Sequence, residues 1–265
     1  MKHIKLNNGV EMPLLGLGTY QLPPSQTEAC VAAALKEGYR FIDTAQCYGN
    51  EREVGCAQRR SGLPRQELFV TTKLWGCQGY TDTRRSIETS LRRLDVGPVD
   101  LLLLHEPTGD VAEIYRAMEA AYEEGQVRAI GVANFLEERY LALINHCRVV
   151  PAVNQVETHV FRQQQRLRKL EQQLGTRHES WSPLACGRHQ IWQQPVLERL
   201  AQKHGVSIAQ VALAFLLQQD IIAIPKSTSP YHRKENLAAL ELTLDAEDWA
   251  ALAALEEGKS LFGWW

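Results

Sequence analysis

Four polar residues could do chemistry together: Asp43, Tyr48, Lys73 and His105. A phenol can give a proton to a nascent alkoxide, but its ordinary pKa of about 10 makes it a poor donor at neutral pH. A neighbouring ammonium lowers that value, so Lys73 is expected to activate Tyr48, with Asp43 keeping Lys73 charged and oriented. His105 would donate a hydrogen bond to a carbonyl oxygen and fix it for attack. No side chain in the set can supply hydride, so a nicotinamide cofactor is implied. Taken singly, each residue has a plainer reading: an Asp43–Lys73 structural ion pair, a rim tyrosine, a hydrogen-bonded core histidine. Their common placement argues for a site.

That placement comes from the elements that carry them. Short apolar runs that read as strands occupy 14–18, 40–43, 68–73, 99–105, 129–133, 152–156, 178–181 and 221–225, eight in all. Asp43, Lys73 and His105 each end one of three successive runs, and Tyr48 lies in the loop after Asp43. A polar group finishing so apolar a strand is costly unless something compensates it. Helical periodicity fills the intervals, as in Ile87, Leu91 and Leu94, in Ile114, Met118 and Ala121, in Leu167, Leu170 and Leu174, and in Ile208, Val211, Ala212 and Phe215. Gly38, Gly62, Gly125 and Gly175 fall where helices should end, Thr81 and Ser207 where helices should begin. A hairpin precedes the alternation, with Asn7-Asn8-Gly9 as its turn. The expected fold is α/β: one (β/α)8 TIM barrel domain over 1–265 with an N-terminal β-hairpin and its site at the C-terminal ends of the strands. An open doubly wound sheet would need a glycine-rich phosphate turn after its first strand. Gly16-Leu17-Gly18-Thr19-Tyr20 has two glycines and runs into Pro23-Pro24 rather than a helix.

Bulk properties agree with one large domain. A chain of 265 residues, 45% hydrophobic and 23% charged, can bury a core without staples. The formal charge of −2 shows no basic stripe for nucleic acid or anionic lipid. The densest basic cluster, 162–169, reads as a solvated helix face. The N-terminus turns polar at Asn7 before an apolar leader could form, and no run reaches membrane-spanning length. The six cysteines are single and show no zinc spacing, so no metal is expected and a reducing, cytoplasmic setting fits. Cys47, beside Tyr48, reads as a small space-filling residue unless its pKa is lowered. A metal-assisted hydrolase using Asp43 and His105 lacks a second histidine on a neighbouring strand, and Lys73 would repel the cation. A non-catalytic barrel that only binds a nicotinamide cofactor is opposed by the intact set of four.

Gly38-Tyr39-Arg40-Phe41-Ile42-Asp43-Thr44-Ala45, followed by Tyr48-Gly49-Asn50-Glu51, resembles the signature of the aldo-keto reductases, and the similarity extends along the chain. Length and short loops are most similar to bacterial members that reduce diketogluconate, methylglyoxal and other small carbonyls. The resemblance implies NADPH/NADP+ as cofactor, a small-molecule carbonyl substrate and a monomer. It implies that Asn134 and Gln155 hold the carboxamide, that Trp181 stacks on the nicotinamide, and that Ser182, Leu184, Gly18, Thr19, Tyr20 and Asp43 complete the contacts. Lys226, Ser227 and Thr228, with His232, Arg233, Glu235 and Asn236, would take the adenosine phosphate and adenine. Tyr20, Trp75, His105 and Glu106 would line the substrate pocket, and the tail Phe262-Gly263-Trp264-Trp265 could join them. Three departures stand out. Ala133 replaces a serine, Glu106 follows His105 where a tryptophan is frequent, and His232 occupies the position of a phosphate-binding arginine. Arg233 comes one residue later, about 100° around a helix, so a weaker preference for NADPH over NADH is expected.

Overall fold

A computed structural model describes residues 1–263. The hairpin pairs β1 (His3–Lys5) with β2 (Glu11–Pro13), Ile4 opposite Met12. Eight parallel strands follow and are hydrogen-bonded in chain order: β3 (Leu17–Gly18), β4 (Phe41–Asp43), β5 (Phe69–Leu74), β6 (Leu101–Leu104), β7 (Ile130–Ala133), β8 (Val153–Glu157), β9 (Arg177–Trp181) and β10 (Ile222–Ala223). A bridge between Leu15 and Ala223 joins the last strand to the first, so the sheet closes into the expected barrel. Helices α1 (Pro24–Glu37), α2 (Glu51–Arg60), α3 (Tyr80–Leu94), α4 (Val111–Glu123), α5 (Glu137–Ile144) and α6 (Gln165–Leu174) cross between successive strands. The pair α7 (Pro195–His204) and α8 (Ile208–Leu217) crosses from β9 to β10, and α9 (Pro230–Ala238) and α10 (Ala246–Ala253) complete the ring.

Alternation along each strand explains both the core and the site. Leu102, Leu104, Ile42, Val70 and Val132 pack outward with the helices, while Leu101, Leu103, Phe41, Phe69 and Val153 point into the barrel with Ile4, Leu6 and Met12 of the hairpin segment. Strands buried on both faces are predominantly apolar, as Leu101–Leu104 is, while β8 and β9 bury Asn154, Gln155, Glu157, His178 and Glu179 as well. A period of two puts Asp43 on the inward face with Phe41, Lys73 with Phe69, and Gln155 with Val153. The interior is therefore apolar at the hairpin end and polar at the C-terminal end.

Helix boundaries follow local chemistry. Ser207 caps α8 through a reciprocal bond with Gln210, and Gly38 and Gly175 end α1 and α6 in the left-handed region at φ 111° and 81°. Thr81 is not a cap: α3 begins at Tyr80 after an extended Gly79, leaving Thr81 in the first turn. The basic run 162–169 is also not a uniform solvated face. Arg162 precedes α6, is 8% exposed and pairs with the buried Glu157, because Gln164 at φ 53° delays the helix until Gln165. Among the described residues, no single helix is long and apolar enough to cross a membrane.

Candidate active site

Lys73, fully buried, is the hub. Its Nζ donates to Asp43 Oδ1 at 2.5 Å, to the carbonyl of Thr44 at 3.1 Å and to the Tyr48 hydroxyl at 3.3 Å. The other Asp43 oxygen accepts from Gln155 Nε2 at 3.1 Å. The buried Lys73 charge is unfavourable by itself, but the Asp43 carboxylate raises its pKa above the ordinary lysine value and keeps it an ammonium. Tyr48 sits in a 3-10 turn, Gln46–Tyr48, closed by Gly49 at φ 70°. Gln46 anchors that turn, donating to Ser86 and Ser90 on α3 and accepting from the backbone amide of Trp75. Asn50 ties it to the loop after β3, accepting from Thr44 and donating to the carbonyls of Thr19 and Leu22.

His105 lies one residue past β6, its ring 5.9 Å from Tyr48 and 4.9 Å from Trp75, both edge-on. Burial, reinforced by the Lys73 charge, lowers its pKa to about 3, so the imidazole is neutral and donates a single hydrogen bond. Burial also raises Tyr48 above the ordinary phenol range, with Lys73 offsetting only part of the effect. This corrects the expectation of a lowered Tyr48 pKa: desolvating the phenolate costs more than one ammonium at 3.3 Å returns. The hydroxyl consequently keeps its proton. Cys47 is exposed, not space-filling, and its thiol lies 3.6 Å from His105 Nδ1. Although the residue is open to solvent, partial desolvation of the thiol pushes its pKa up to about 11, so little thiolate forms.

Asn134 follows β7 at φ 64°, a conformation asparagine tolerates. Its Nδ2 donates to the His105 carbonyl and to Glu106 Oε1, each at 3.0 Å, and its Oδ1 accepts from Trp181 Nε1 at 2.8 Å. Glu106 thus turns inward, toward Asn134. Trp181 packs edge-on against Phe262, with ring centroids 5.0 Å apart, which draws the start of the tail to the mouth. Trp264 and Trp265 lie outside the described residues. Ser182, at φ 53°, and Leu184 continue from Trp181, and Ser182 Oγ lies 3.0 Å from Cys186 Sγ. Tyr20, half-exposed, stacks obliquely 5.1 Å from Tyr48, and Trp75 is similarly open to solvent.

The second cluster lies beside the barrel seam. Lys226 and Thr228 are exposed in the loop between β10 and α9, and Ser229 caps α9. Gly18 is buried beside this loop, where a Cβ would stand 2.8 Å from the carbonyl of Ile224. His232 is exposed and contacts Glu235 at 2.9 Å, while Asn236 is buried. Arg233 is 2% exposed and turned away from solvent. It forms a two-pronged pair with Glu37 of α1, both contacts 2.7 Å, and donates to the carbonyl of Thr228 at 2.8 Å. The residues named from the sequence therefore fall into two groups, with Thr19 bridging toward Asp43, whose carbonyl accepts from its backbone amide at 3.0 Å and its hydroxyl at 2.9 Å.

Sequence reasoning missed Glu179 of β9, which is fully buried and faces the Asp43–Lys73 pair beside Gln155. Burial raises its pKa well above the ordinary carboxylate value. The available signal was its spacing, two residues before Trp181 on the same inward face.

Against protein-family models, residues 14–257 match the Aldo/keto reductase family. The chain belongs to that family. As an aldo/keto reductase it is 42% identical to the morphine 6-dehydrogenase of Pseudomonas putida over 270 residues, covering 96% of this chain and 91% of that one. It is 41% identical to the glyoxal reductase of Bacillus subtilis over 257 residues, covering 96% and 92%. A mutant of Gox0644, solved in complex with NADPH, superposes with a TM-score of 0.92 at 37% identity, covering 98% and 96%. The aldo/keto reductase barrel and its N-terminal hairpin thus stand on sequence and structure alike, and the activity belongs among the oxidoreductases.

Proposed function

We propose that this aldo/keto reductase reduces small aldehydes, dicarbonyls and keto-sugars to alcohols with NADPH, with Tyr48 as proton donor. The carrying observation is Lys73 bonded at once to Asp43 and to the Tyr48 hydroxyl. Bound NADPH would supply hydride to the carbonyl carbon. Its fit rests on this chain's own groups. At the mouth the Asn134 side chain accepts from Trp181 Nε1 and its backbone amide donates to the Gln155 carbonyl, and the buried Glu106 Oε2 beside Asn134 has no partner. At the seam, exposed Lys226 and the amides leading into α9 suit a phosphate, and Gly18 keeps the strand ends close.

In this reading His105, neutral at every working pH, donates to the carbonyl oxygen and orients it. Tyr48 then passes its proton to the oxygen as negative charge grows there. The resulting phenolate is stabilised by the Lys73 ammonium, which Asp43 and Gln155 hold in place. The Lys73 charge that offsets part of the burial cost of this phenolate at rest does the same as the phenolate develops. Trp75 and Tyr20 form an open wall with few polar contacts, which supports small activated carbonyls over bulky ketones.

The test is NADPH oxidation across methylglyoxal, aromatic aldehydes, keto-sugars, keto-esters and a steroid ketone. Turnover of small carbonyls with higher kcat/KM than the steroid is expected. Failure with every carbonyl, or a wide preference for the steroid, would contradict the proposal.

A further inference from the structure

Glu106 takes no part in the proposed proton and hydride transfers, yet it stands beside the groups that would hold the cofactor. It follows His105 directly, its Oε1 accepts from Asn134 Nδ2 at 3.0 Å, and its Oε2 is buried without a partner. The same Asn134 amide is fixed from the other side by Trp181 Nε1. A carboxyl group therefore stands one hydrogen bond from the side chain assigned to the nicotinamide carboxamide, and any role of Glu106 toward the cofactor depends on that assignment. The two forms of the cofactor differ in charge at that ring: oxidised nicotinamide is cationic, the dihydro form neutral. A low-dielectric site with one anion beside it must distinguish them.

We infer that Glu106 sets the relative affinity of the site for NADP+ and NADPH, its carboxylate favouring the cationic oxidised ring through the Asn134 contact. Burial raises the Glu106 carboxyl to about 7, with the hydrogen bond from Asn134 opposing, so its charge changes across neutral pH. Below that value the carboxyl is neutral and its contribution to the difference disappears. Above it the anion holds NADP+ more tightly, which makes product release slower and the bound nicotinamide a stronger reductant.

Of the other ionisable groups facing this corner, His105, Cys47 and Lys73 each keep one charge state across that interval. His105 titrates at about 3 and Cys47 at about 11, and Lys73 is raised above its ordinary value by Asp43. Buried Glu179 is also raised above the carboxylate range, and the Glu106→Gln arm separates any contribution of its own from that of Glu106. The Asp43 carboxylate is itself closed off by Lys73 and Gln155. Titration of the cofactor's own phosphates affects both forms equally and cancels in the ratio of dissociation constants.

The experiment is fluorescence titration of the wild-type protein and of Glu106→Gln with NADP+ and with NADPH, between about pH 6 and pH 8, bracketing the carboxyl. In wild type the ratio Kd(NADP+)/Kd(NADPH) should fall on the order of tenfold across that range, as expected for one screened charge near the ring. In Glu106→Gln the ratio should stay flat at the wild-type low-pH value. A flat ratio in wild type, or an unchanged pH dependence in the variant, overturns the inference while leaving the cofactor assignment intact. Binding of neither nucleotide overturns the assignment and the inference together. Because the wild-type arm stands alone, a variant that fails to fold does not remove the test.

Discussion

Arg233→Met separates two roles that the sequence left open for this arginine. If Arg233 gripped a 2′-phosphate, its loss would weaken NADPH and spare NADH. The structure instead commits the guanidinium to Glu37 through two contacts of 2.7 Å and to the Thr228 carbonyl at 2.8 Å. Breaking a buried pair costs about 3 kcal/mol at the low end of the usual range, appropriate because the Glu37 side chain keeps some contact with solvent. At about 2–4 °C per kcal/mol for a chain of this size, the melting temperature should drop by roughly 6–12 °C. The 226–229 loop loses its brace, so NADPH and NADH should weaken together, each by less than about tenfold. Melting curves and titrations with both nucleotides read this directly. Glu37→Gln should reproduce the stability loss with the nucleotide ratio unchanged. A large loss confined to NADPH, with melting unaltered, would refute the bracing role and return Arg233 to the phosphate.

Tyr48→Phe should abolish most carbonyl reduction with NADPH affinity nearly intact, since the hydroxyl acts on substrate; near-wild-type turnover would show that another group is the acid. Glu157 offers a stability prediction. Burial alone would raise its pKa, but hydrogen bonds from His159, Ser260 and the Leu261 amide, with the Arg162 charge, outweigh burial and hold it to about 2 against an ordinary 4.5. The folded value is the lower one, so the contribution is complete above about pH 4.5 and disappears as pH falls toward 2, a loss of roughly 3 kcal/mol. Urea unfolding of wild type and Glu157→Gln across that interval should show the slope in wild type and its absence in the variant.

The strands were legible because parallel strands buried on both faces are mostly apolar runs, and the catalytic candidates because each interrupts such a run at its end. Leu101–Leu104 followed by His105 is the clearest case. Glu179 escaped because it sits among polar neighbours: His178 faces Glu171 on α6, so a run of mixed character hid one inward carboxylate. Arg162 was misjudged because composition cannot show that Gln164 delays a helix or that Glu157 waits beneath. The Tyr48 pKa was misjudged because residue types reveal a nearby charge but not how much water burial removes. The pairing of Arg233 with Glu37 spans 196 residues, and no local pattern encodes it.

That span carries a consequence for how the molecule comes to exist. The barrel seam has few rungs: Gly16 and Gly18 donate to Ala223 and Pro225, and Ala223 donates to Leu14. The side-chain bolt across it joins the first helix to the ninth. Contacts of such high sequence separation bear the largest loop-closure entropy and form late. During synthesis from the N-terminus, Asp43, Tyr48, Lys73 and His105 all emerge long before Arg233 leaves the ribosome. The proposed adenosine seat cannot be braced until it does. Binding of the intact nucleotide is thus a property of the finished chain, and its onset during refolding serves as a clock for barrel closure.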